Sequence, residues 1–176
     1  MDQLKMVFDV TKKPISLPVL PDGYYMRTYR AGDGQGWCEC CIHGSLGIEE
    51  TSEEAFASKM LMDDHVSPDN IYFLVAPSGD IAGTTTYQYS DQPSVGIIHM
   101  VGMSQRFLGK GLSLPMLLYV MQAIANDDRT YIELTTDDWR LPAIKTYLKA
   151  GFEPYLQGQD MEVRWADVMA RINGSA

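Results

Sequence analysis

The sequence predicts an α/β fold of the α+β-like kind, a sheet covered by helices in a single domain. Two observations predict it. Two helical patterns precede a strand meander over residues 71–76, 81–89 and 95–103, and a helix–strand–helix unit with closing strands follows. No internal repeat and no linker interrupts this order, and 176 residues suit one hydrophobic core.

In chain order, residues 4–10 read as a short strand, and Pro14, Pro18 and Pro21 make the next stretch an extended arm. The division that follows is an N-terminal strand and arm over residues 1–22 and a main domain over 23–176. Residues 24–30 alternate as a strand, and Gly32, Gly34 and Gly36 mark a turn. A helix should follow with Trp37, Cys40 and Cys41 on one face, stopping near Gly44 or Gly47. Thr51-Ser52-Glu53-Glu54 reads as a capping box, Thr51 accepting from the Glu54 amide. Phe56, Met60 and Leu61 make the apolar stripe of the helix it opens, which ends near Asp63 and Asp64. Pro77-Ser78-Gly79-Asp80 and Asp91-Gln92-Pro93 are turns between strands. In the strand 95–103, strict alternation puts Val95, Ile97, His99, Val101 and Met103 on one face. Leu112, Met116, Val120, Ala123 and Ile124 form the stripe of the next helix, and residues 131–135 are a strand. Asp137 and Asp138 stand where they can cap a helix over 140–150 that presents Ile144 and Leu148 inward and stops at Gly151. Residues 152–156 and 161–165 read as closing strands.

Composition narrows the function. A net charge of −9 argues against a nucleic-acid partner, which needs a basic face, and favours cationic or amine substrates by steering. No run of about 18 apolar residues exists and the N-terminus has no signal-peptide core, so no membrane partner is expected and cytoplasmic residence is. Cys38, Cys40, Cys41 and His43 lack the second ligand pair of a zinc site, so the cysteines read as small apolar residues on a helix and no metal is expected.

The segment Met103-Ser104-Gln105-Arg106-Phe107-Leu108-Gly109-Lys110-Gly111-Leu112-Ser113 carries the chemistry. A strand feeds a glycine turn that opens a helix, whose unpaired first amides and positive dipole end suit a phosphate. The Gly-Lys-Ser/Thr of a nucleotide P-loop is absent, as are the three glycines of a dinucleotide fold. Pro115 requires either that this helix start near Gly111 or that it kink at once.

This segment resembles the acyl-CoA-binding motif of the GNAT superfamily of N-acetyltransferases, Gln/Arg-x-x-Gly-x-Gly/Ala. Two registers fit it. Arg106-x-x-Gly109-x-Gly111 satisfies the pattern literally. Placing Leu108, Gly111 and Ser113 at the three positions keeps the family's five-residue spacing back to Met103 and is preferred. Ala143-Ile144-Lys145-Thr146-Tyr147-Leu148-Lys149-Ala150-Gly151-Phe152 is similar to the family's Ala-Ile-x-x-Tyr-x-x-x-Gly-Phe segment, with Arg140 where the family usually has Asn. Residues 23–37 also look like the family's first strand and turn, so the likeness covers most of 23–157.

The resemblance implies a central mixed, mostly antiparallel sheet flanked by helices. It implies acetyl-CoA as cosubstrate, held by Val101, Met103, Leu108, Gly109, Lys110, Gly111, Leu112 and Ser113, with Lys110 adding charge near the phosphates. The expected reaction is direct acetyl transfer to a primary amine of a small molecule or peptide in a ternary complex. Tyr147 matches the family's general acid, the alternative being a packing residue beside Ile144 and Leu148. His99 and Glu133 are candidate bases, and Tyr24, Tyr25, Tyr87 and Tyr89 candidate acceptor-pocket or strand-forming aromatics. The alternative is a catalytically silent GNAT-like domain that binds acyl-CoA as a sensor or interaction module. The terminal strands offer edges on which a homodimer can pair.

Overall fold

The computed structural model describes residues 3–42 and 49–174. Seven strands form one mixed sheet, and all neighbouring pairs but one are antiparallel. They are β1 (Leu4–Asp9), β2 (Tyr25–Thr28), β3 (Val66–Val75), β4 (Ile81–Tyr89), β5 (Val95–Met103), β6 (Tyr131–Thr136) and β7 (Glu153–Pro154). Their order across the sheet is β2-β3-β4-β5-β6-β1-β7. β1 therefore lies between β6 and β7, and its Leu4, Met6 and Phe8 are fully buried.

The helices cover both faces. On one, α1 (Gly34–Ile42) and α2 (Glu53–Phe56), the latter continued by a π-helical turn at Ala57–Leu61, bury Trp37, Cys38, Cys41, Phe56 and Met60 against β3. On the other, α3 (Ser113–Asn126), α4 (Leu141–Ala150) and α5 (Met161–Gly174) bury Leu117, Met121, Ile124, Ile144, Trp165 and Val168 against β1, β5 and β6.

Several local expectations change. Gly34 and Gly36 lie inside α1, with only Gly32 in the turn at φ 95°. The reason is close packing, since a Cβ on Gly36 would come within 2.5 Å of Ile81 Cδ1. The expected stops of α1 at Gly44 or Gly47, and His43, lie outside the described residues. The cap of α2 is Ser52 rather than Thr51, its Oγ accepting from the Ala55 amide at 3.0 Å. The return bond expected from Glu54 is lost as well, because the position three residues after Ser52 is Ala55, which has no carboxylate; Glu53 instead accepts from the Gln35 amide at the start of α1 (3.2 Å). Leu61 is exposed, because the π turn rotates it off the Phe56–Met60 stripe.

The C-terminal expectation fails most plainly. Residues 161–165 are the first turns of α5, and the strand expected at 152–156 is only the two-residue β7. Met161, Trp165, Val168 and Ile172 recur at helical spacing and all pack on the core, a stripe visible only when the segment is read past Trp165. Asp138 ties this helix down through an ion pair with Arg164. Neither Asp137 nor Asp138 caps α4, whose N-cap position is Arg140 with no side-chain bond to the helix start.

Candidate active site

The site is built around an irregularity in β5. Thr86 of β4 pairs with His99 and Thr84 with Gly102, so Met100 and Val101 together oppose Thr85. Met100 adopts φ 50°, the left-handed region that a non-glycine residue avoids without reason. This is a β-bulge, and it reverses the strand's alternation. Before it, Gly96 faces α3, where a Cβ would meet Ile124; after it, Gly102 faces α1, where a Cβ would meet the Cys40 backbone at 2.7 Å. The five residues expected on one face are therefore divided. Val101 and Met103 pack toward α3, whereas Met100 packs with the α1 side.

The same region opens the sheet. β5 and β6 pair in parallel only at Val95–Tyr131, Gly96–Ile132 and Ile97–Glu133, while β5 runs on to Met103 and β6 to Thr136. Between the parted strand ends lies a cavity of about 610 Å³. Ile97, His99, Met100 and Val101 line it from β5, Leu134, Thr135 and Thr136 from β6, and Asp137, Arg140 and Tyr147 from α4 and its approach. Gln3 and Gln88 complete it.

The titrating groups in the cavity are tuned in useful directions. Burial pushes the Tyr147 phenol up to about 12, and the Arg140 guanidinium pulls it back only partly, so the hydroxyl keeps its proton at neutral pH. Its ring packs edge-on to Phe152, with centroids 6.2 Å apart. Burial also holds His99 below the ordinary histidine range, offset in part by the Asp63 charge, so it is a neutral acceptor at pH 7. Arg140, in the family's Asn position, pairs with Asp137 at 2.9 Å. The Thr136 hydroxyl is buried at this wall with no partner among the described residues.

The glycine loop lies off the end of β5. Gln105–Phe107 form a 3₁₀ turn, and the chain then turns through Gly109 (φ 74°) and Gly111 (φ 72°) into α3. A Cβ at either glycine would meet open space, so backbone conformation rather than crowding selects glycine here. α3 begins at Ser113, which makes Pro115 its third residue, among the first-turn positions whose amides have no partner in the helix. The helix needs neither to start at Gly111 nor to kink. Leu108, Gly109, Lys110 and Gly111 are exposed, and Lys110 Nζ sits 4.7 Å over the Phe107 ring. Arg106 is held by Asp80 at 2.9 Å on the flank of the loop. Met103 anchors the strand end against Met116, and Leu112 is buried behind the loop. This surface of open backbone amides beside one lysine fits a pyrophosphate, and the slot between β5 and β6 fits an extended, amide-bearing arm.

Other candidates fall elsewhere. Glu133 lies outside the cavity and pairs with Lys5 at 2.6 Å. None of the four tyrosines lines the cavity; Tyr87 donates to Asp127 at 2.5 Å and Tyr24 stacks on Phe107. The three cysteines are buried on α1, where burial pushes the Cys40 thiol up to about 12. Gln3, Gln88, Met100 and Thr136 were not singled out by the sequence. Thr136 lies one residue past the strand expected over 131–135, which the structure extends to include it.

The bulged strand, the parted sheet and the glycine turn thus meet within one unit, α1 to β7. Residues 39–152 match the acetyltransferase (GNAT) family, and the chain belongs to it. It is 24% identical over 144 residues to a mycothiol acetyltransferase of Streptomyces bingchenggensis (strain BCW-1), covering 78% of this chain and 46% of that protein. Among solved structures, it resembles a GCN5-related N-acetyltransferase from Sphaerobacter thermophilus, with a TM-score of 0.69 and 24% identity over 88% of this chain and 50% of that one. One from Kribbella flavida aligns with a TM-score of 0.58 and 17% identity over 88% and 55%. The chain thus spans about half the length of these relatives. Among the described residues, no helix is long and apolar enough to cross a membrane.

Proposed function

We propose that this acetyltransferase moves the acetyl group of acetyl-CoA to a primary amine of a small molecule or peptide, by direct attack while both substrates are bound. The observation that carries this reading is the pairing of a protonated Tyr147 with a neutral His99 in one cavity, where β5 and β6 part. Acetyl-CoA supplies the activated thioester. Backbone groups of Val101 and Met103 align its arm, and the loop from Leu108 to Ser113, with Gly109, Lys110, Gly111 and Leu112, holds its phosphates. His99 Nε2 or Nδ1 accepts the proton of the incoming ammonium, directly or through water. Tyr147 Oη gives its proton to the departing sulfur. The bulge at Met100 interrupts the ladder where an oxygen gaining charge needs a backbone donor. The net charge of −9 steers ammonium acceptors toward the molecule.

The test is thiol release from acetyl-CoA across a panel of primary amines and peptide N-termini, with Tyr147→Phe as control. Amine-dependent release by the parent and its loss in the variant are expected. Equal release by both would remove Tyr147 from the reaction.

A further inference from the structure

Gln3, the residue before β1, lines the cavity, although the sequence sets residues 1–22, this strand and the arm after it, apart from the transferase domain. Both ends of its amide are engaged there. Thr135 Oγ1 donates to Gln3 Oε1 at 2.9 Å, and Gln3 Nε2 donates to Asp137 Oδ1 at 3.1 Å. The other oxygen of Asp137 faces Arg140 Nε at 2.9 Å, and the Arg140 charge acts on Tyr147. A chain of contacts thus runs from Thr135 through Gln3 and Asp137 to Arg140, which lines the same cavity as Tyr147. The position of β1 makes it possible, because Leu4 pairs with Thr136 and brings the residue before it alongside the open end of β6.

We infer that Gln3 is a positioning residue of the transfer site, one that fixes the Asp137 carboxylate and through it the Arg140 guanidinium beside Tyr147. The inference rests on the proposed reaction for its catalytic consequence, though not for the contacts themselves. An amide is the side chain that suits the place. It accepts from a hydroxyl and donates to a carboxylate at the same time, which neither an ionised glutamate nor an aliphatic residue can do. Gln3 thereby fixes Asp137 through Oδ1, while Oδ2 meets Arg140 Nε in an ion-pair contact at 2.9 Å. Gln3 is exposed, so its loss leaves the buried Leu4, Met6 and Phe8 in place.

Two substitutions test this. In Gln3→Leu the Arg140 Nε–H signal in a nitrogen-edited NMR spectrum should broaden, a readout that needs no activity. Turnover should fall about tenfold or more, with KM for acetyl-CoA within about twofold and the melting temperature within about 2 °C of the parent. Gln3→Glu keeps the shape but places a carboxylate against Asp137 until one of the two is protonated. The charged and titrating groups around that position are Asp137 and Arg140, His99 and Tyr147 across the cavity, and the Lys5–Glu133 pair with Tyr155 along β1. The added charge also shifts His99 and Tyr147, so the Arg140 Nε–H signal, which does not pass through either, is the readout for this variant. In Gln3→Glu it should be broadened near pH about 8 and return toward the parent's as pH falls into the carboxylate range. A parent-like Arg140 signal in Gln3→Leu would overturn the inference, as would an Arg140 signal in Gln3→Glu that does not change with pH. A parent without transferase activity would instead contradict the proposed reaction, and the NMR result would still decide whether Gln3 positions Arg140.

Discussion

In the proposed reaction the Tyr147 hydroxyl and the His99 imidazole divide the proton work, because one cavity shifts them in opposite senses. Burial penalises the charged form of each, which keeps the phenol protonated and the imidazole neutral. Tyr147→Phe should lower turnover about a hundredfold while leaving acetyl-CoA affinity and the melting temperature near the parent's, since the ring keeps its contact with Phe152. Steady-state kinetics beside calorimetry and a melting curve separate these effects. For His99 the sign follows from its depressed pKa. The folded protein binds the proton less readily than the unfolded chain, so stability is complete above the ordinary histidine range and falls as pH drops through the folded value. The acid limb of the turnover profile should lie below that range, and His99→Gln should remove it. A limb unchanged in the variant would assign the base elsewhere. Tyr147 was legible from its spacing to Gly151 and Phe152. His99 was visible only as a titratable residue on a strand, because its burial depends on the bulge beside it.

At the level of elements, β5 and its neighbours line most of the proposed site. Its limits, Val95 to Met103, were readable from hydrophobic pattern and flanking turns. Its bulge was not, since methionine gives no signal for φ 50°. The consequence was a wrong assignment of faces for Val101 and Met103. The ends of α5 show the reverse case, a helical stripe missed because the segment was cut before Val168. Helix α1 sets a further constraint, because it lies on β5 so closely that Gly102 meets the Cys40 backbone. A Cβ there would sit 2.7 Å from the Cys40 carbonyl oxygen, and backbone yields less than a side chain. Gly102→Ala should therefore cost about 2 kcal/mol and lower the melting temperature by about 5 °C, as thermal unfolding would show. An unchanged melting temperature would mean that α1 can move off the strand.

Across the whole molecule, sheet order explains how segments far apart in sequence meet. The slot between β6 and β7 is filled by β1, so a strand from the first ten residues braces the end of β6 where the cavity begins. Local pattern located β1 as a strand but not its place, because register across such distances is set by packing rather than by the segment itself. The glycine loop and the Tyr147 segment were legible because each is a local motif. That Tyr147 and the end of β5 line one cavity is a property of the assembled sheet. The central claim is that this loop holds the pyrophosphate of acetyl-CoA, and calorimetric titration of the parent and of Gly111→Asp tests it most directly. Gly111 faces open space at φ 72°, a conformation aspartate tolerates better than most residues, so the variant should fold. The account predicts binding in the micromolar range by the parent and its loss in the variant, whose carboxylate repels the phosphates. Equal binding by both would contradict the placement of the cosubstrate, and no binding by the parent would favour a silent domain over an enzyme.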